Sequence, residues 1–78
     1  MQNESIARLA ELHKVLAVCP SDVLARCDLA LLLEQLDLHA EALFNWKTVL
    51  EFDPNNLKAR EGVTRCRTRP ARPFQPQR

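Results

Sequence analysis

Few side chains in this sequence can do covalent chemistry. There are two histidines, His13 and His39, and three cysteines, Cys19, Cys27 and Cys66. A nucleophilic Cys–His pair needs its two side chains in contact. His13 precedes Cys19 by six residues, which puts the two on well-separated sides of a helix. His39 lies in the break Asp37-Leu38-His39, where a solvated imidazole is expected. Zinc takes four ligands, usually in close pairs. Cys19 and Cys27 are eight residues apart with a helix start between them, and Cys66 is isolated. Neither a phosphate-cradling glycine loop nor a nucleophile elbow is written in the chain. The expectation is therefore a non-enzyme with no metal and no cofactor. An odd number of cysteines without a secretion signal argues against a disulfide framework. The cysteines read as small buried hydrophobes, and thiol crosslinking between copies is the weaker reading.

The remaining chemistry is charge. Residues 1–64 carry ten acids against six bases, whereas residues 65–78 carry five arginines and no acid. From Arg69 onward the sequence RPARPFQPQR holds three prolines and no core-forming pattern. The division expected is a helical domain over 1–68 and a disordered Arg/Pro-rich tail over 69–78. Arg65, Arg67, Arg69, Arg72 and Arg78, with Phe74, suit phosphate and base contacts. A nucleic-acid accessory protein is therefore the alternative reading. The acidic body opposes it, because most of the surface repels phosphate.

The elements that position these groups read as helices. One Gly, no Tyr and many Leu, Ala, Glu and Arg favour helix over sheet. Residues 4–18 place Ile6, Leu9, Leu12, Val15 and Leu16 at helical spacing, with Asn3 or Ser5 as cap and Pro20 as the stop. Residues 22–36, capped by Ser21 or Asp22, are apolar most of the way round, as befits a central helix. Residues 39–52 carry Ala42, Leu43, Trp46, Val49 and Leu50 on one face, with Phe44 and Phe52 off it. Asp53-Pro54-Asn55-Asn56 is a turn signal, and residues 56–68 follow as a fourth helix. Gly62 within it points to a close approach between helices. The longest strongly apolar stretch, Leu29 to Leu33, is far too short to span a bilayer. No secretory leader is apparent, so a cytoplasmic protein, or a piece of a longer one, is expected.

The chain also repeats itself. VLAVCPSDV at 15–23 returns as VLEFDPNNL at 49–57, an offset of 34 residues. Identities at that offset are Leu9/Leu43, Val15/Val49, Leu16/Leu50, Pro20/Pro54, Ala25/Ala59 and Arg26/Arg60. A 34-residue period built from two helices is similar to the tetratricopeptide repeat. Residues 23–56 resemble one full repeat, with Leu29, Ala42, Trp46 and Pro54 in their slots and Ala30 keeping the glycine slot small. Half repeats flank it, with Pro20 closing the first. Arg8 stands in the small slot there, which opposes tight packing.

That resemblance implies an all-α fold of about four helices, in antiparallel helix-turn-helix pairs stacked as a short α-solenoid. It implies a protein–protein interaction or scaffold module, holding a peptide or partner helix on a face lined by the first helix of each repeat. The residues on that face would be Leu24, Cys27, Leu31 and Gln35, joined by Lys58, Glu61 and Arg65. Repeats of this kind bury their faces against neighbours, so self-association into dimers or oligomers is a further expectation. Of the positions that clamp C-terminal carboxylates in some tetratricopeptide proteins, only Lys58 fits, which favours apolar or helical ligands.

Overall fold

The chain breaks into helices where the turn residues demand it. The computed structural model describes residues 2–68 and contains α1 (Gln2–Val18), α2 (Val23–Gln35), α3 (His39–Phe52) and α4 (Leu57–Thr68). The stretch expected to be a disordered tail, 69–78, lies outside the described residues. Adjacent helices pack as antiparallel pairs, and α2 touches α1, α3 and α4. Its apolar residues point several ways because it has three neighbours to satisfy.

The two proline turns are the same structure built twice. In the first, Cys19 N–H donates to the Val15 carbonyl at 2.9 Å and Asp22 N–H to the Cys19 carbonyl at 3.1 Å. In the second, Asp53 N–H donates to the Val49 carbonyl at 2.8 Å and Asn56 N–H to the Asp53 carbonyl at 3.0 Å. The caps match as well. Ala25 N–H donates to Asp22 Oδ1 at 3.1 Å, and Ala59 N–H to Asn56 Oδ1 at 2.9 Å. Each cap satisfies an amide that the first helical turn leaves without a partner.

Two local expectations are corrected. α1 begins at Gln2, so Asn3 and Ser5 fall inside it rather than capping it. Glu4 in the first turn suits the positive end of the helix dipole, which lowers the need for a side-chain cap. His39 opens α3 and is largely buried, with Nε2 2.8 Å from Asp37 Oδ1, so it is not a solvated loop residue. Asp37 takes a positive φ of 69°, which lets the chain reverse in three residues.

The core is assembled from Leu12 and Leu16 of α1, Ala25, Cys27, Leu29, Ala30, Leu32 and Leu33 of α2, Ala42, Trp46 and Val49 of α3, and Ala59 and Cys66 of α4. Ala30, Ala42 and Ala59 are wholly buried, so the small residues sit where helices come closest. Val49 is wholly buried, whereas its counterpart Val15 is 41% exposed. α3 packs between α2 and α4; α1 packs on α2 alone.

One polar residue is folded into this core. Asn45 is buried on α3, donates Nδ2 to the Glu41 carbonyl at 2.9 Å, and accepts from Arg26 at 3.0 Å. Arg26 also donates to the Pro20 carbonyl at 3.0 Å. It thereby ties α2 to α3 and to the first turn, and its charge does not lie idle in a half-buried site.

Candidate functional site

The face suggested by the sequence runs over α2 and α4. Its residues divide by burial. Leu24 is 77% exposed, Gln35, Lys58, Glu61 and Arg65 are exposed, and Leu31 is half-buried. Cys27 differs. It is 3% exposed and belongs to the core, so it does not offer its side chain to a ligand. Burial pushes its thiol up; Lys58 opposes that rise, while Asp28 and Asp53 add to it. The thiol is therefore protonated and unreactive at neutral pH. Cys66 is likewise buried, and Cys19 is the exposed one.

Two hollows among the described residues divide several of the exposed members between them. Leu31 and Gln35 border a shallow depression of about 310 Å³ with Asp28 and with Arg8 of α1. Glu61 and Arg65 border another of about 410 Å³ with Arg60 and Thr64. Arg8, the large residue in the small slot, lies across to α2 and meets Asp28 at 3.3 Å and Glu11 at 3.6 Å. These are half-exposed pairs, each contributing about 0.2–1 kcal/mol.

Glu34 is the link between α2 and α4. Arg65 grips it with two hydrogen bonds of 3.0 Å, Nε to Oε1 and Nη2 to Oε2. The indole N–H of Trp46 donates to Oε2 at 2.6 Å. Burial pushes the Glu34 carboxyl up, but the bonds from Arg65 and Trp46, the Arg65 charge and the Cys66 thiol together hold it below its ordinary value. Arg65 is raised in turn, first by its hydrogen bond to Glu34. Carboxylate, indole and guanidinium thus join three helices.

Glu34 lies outside the set of residues expected on that face. Its partners lie 12 and 31 residues away, and no local pattern marks them. Asn45 left a usable signal, a polar residue between Ala42 and Val49 on an otherwise apolar stripe.

A third hollow, of about 450 Å³, opens between α1 and α3. Leu9, Leu33 and Phe44 form its apolar part, and His13, Glu41 and Asn45 its polar part. Phe44 is 66% exposed beside it. No described helix is long and apolar enough to cross a membrane. Among the described residues, no three His, Cys, Asp or Glu side chains cluster as metal ligands would. No family model, curated protein or solved structure matches the chain.

Proposed function

We propose that the chain is a non-catalytic protein–protein interaction module, built as a short tetratricopeptide-like solenoid. The twin proline turns and the contact between α2 and α4 across α3 support that reading. The face of α2 and α4 is where it takes a peptide or a partner helix. One observation carries the assignment: Leu24, on the central helix of the fold, is left 77% exposed beside half-buried Leu31. A large apolar side chain at the head of such a helix gains from a cover. Gln35, Lys58 and Glu61 supply the polar rim that fixes register, as at other interfaces.

The double variant Leu24→Glu/Leu31→Glu tests this reading. Helicity by circular dichroism is expected to stay near that of the parent, because Leu24 is exposed and Leu31 only half-buried. Partner capture, or self-association measured by sedimentation, is expected to be lost. Capture and oligomeric state both surviving in the folded variant would sink the assignment.

A further inference from the structure

We propose that the outer face of α4 docks an acidic segment of a partner protein. This face adjoins the one bearing Leu24 and Leu31 and shares Glu61 and Arg65 with it. Its composition stands out when α4 is laid on α2 at the 34-residue offset. On α2, Ala30 and Leu33 are buried in the fold. Their counterparts on α4 are Thr64 and Arg67, both exposed. A further helix packed there as α3 packs on α2 would bury a hydroxyl and a guanidinium, which is costly without partners. The face is suited to a charged ligand instead.

Arg60 shows how such a ligand would be held. Its counterpart Arg26 uses its guanidinium to grip two oxygens, Asn45 Oδ1 and the Pro20 carbonyl, each at 3.0 Å. Arg60 occupies the same position of its helix, one turn past an Asn cap instead of an Asp, and is exposed. The fold itself ties down Arg8, Arg26 and Arg65. Arg60 and Arg67 enter no ion pair among the described residues. They lie seven residues apart, on one stripe with Thr64 between them. That separation is about 10 Å along the helix, close to the roughly 9 Å between side chains three residues apart on one face of a polyproline II segment. The hollow bordered by Arg60, Glu61, Thr64 and Arg65 gives the ligand a seat beside them. Glu61 opposes an acidic ligand and restricts it to the Arg60–Arg67 side. A bidentate guanidinium on a carboxylate is a strong, directional contact, and α4 presents it rigidly because Gly62 and Arg65 anchor that helix to Trp46 and Glu34.

The test uses the full chain and a fluorescein-labelled decapeptide of alternating Glu and Asp, read by fluorescence anisotropy. Binding is expected at low salt and should weaken steeply between about 50 and about 300 mM salt, as the screening length shortens. Arg60→Glu/Arg67→Glu is expected to weaken it tenfold or more. Lys14→Glu/Lys47→Glu, with the same change in net charge on other helices, should retain most of the affinity. Equal loss in that control would reduce the effect to net charge and overturn the proposal. So would a single-stranded oligothymidine of equal length that binds more tightly through the same arginines. So would low-salt self-association that the Arg60→Glu/Arg67→Glu variant abolishes, since the occupant is then a second copy. If the double variant fails to fold, Arg60→Gln and Arg67→Gln singly must each weaken binding.

Discussion

Gly62 of α4 approaches the indole of Trp46 on α3 so closely that a Cβ in its place would overlap the ring. Glycine inside a helix ordinarily costs about 1 kcal/mol relative to alanine. Here the relation inverts. Gly62→Ala is expected to destabilise the fold by about 1–3 kcal/mol, because Trp46 is wholly buried and has nowhere to retreat. Urea unfolding followed by tryptophan fluorescence measures it. A stabilised Gly62→Ala protein would show that α4 does not pack on Trp46 in this way.

Glu34 should make stability depend on pH in the acid range. Its folded carboxyl is held below the ordinary value of 4.5, so the contribution is fully present above that value and is lost as pH falls through the folded one. At neutral pH, Glu34→Gln is expected to cost about 1–2 kcal/mol, reduced from a fully buried charged hydrogen bond because Arg65 is half-exposed. Near pH 3 the gap between parent and variant should narrow. Denaturant midpoints measured across pH 3–7 decide it, and a gap independent of pH would refute the role given to the carboxylate.

Val15 and Val49 offer a matched pair of substitutions. Val49→Ala should cost about 2 kcal/mol, from lost burial and the cavity left between α2 and α4. Val15→Ala, at the partly exposed counterpart, should cost less than about 1 kcal/mol. Thermal melts of the two variants under one condition compare them directly. Equal costs would mean that α1 is covered in solution by something beyond α2.

The cysteines should separate by reactivity. Cys19 is exposed, whereas Cys27 and Cys66 are buried. Titration with a thiol reagent should label one site promptly and the other two only as the protein unfolds. Rapid labelling of all three would contradict the core as described.

Much of the architecture was legible because it is local. Helix boundaries followed from Pro20, Pro54 and the Asp and Asn caps, whose signals act over three or four residues. Burial of Trp46, Ala42 and Ala30 followed from spacing along single helices. Cys27 was misplaced because its position on α2 puts it on the open side only if α4 leaves it uncovered, and side-chain burial between α2 and α4 depends on packing that no single helix records. The Glu34–Arg65 pair was missed for the same reason. Arg26 stood in the sequence only as one of the repeat identities, and the fold supplied the oxygens that explain it.

The two turns carry a consequence for length. Each closes through backbone and cap hydrogen bonds spanning no more than four residues, and on the first Arg26 adds a link from the Pro20 carbonyl to Asn45 of α3. The seam between α2 and α3 is self-contained, with Arg26 and Asn45 meeting inside it, so it can be copied whole. Inserting a duplicate of residues 23–56 in register sets Asp28 of the copied α2 where Gly62 now meets Trp46, so the insert carries Asp28→Gly to restore that fit. The six-helix product should melt at a higher temperature than the parent, as nearest-neighbour stacking predicts. In that sense the 34-residue offset behaves as a unit of extension, and the present chain is one length among those its grammar permits.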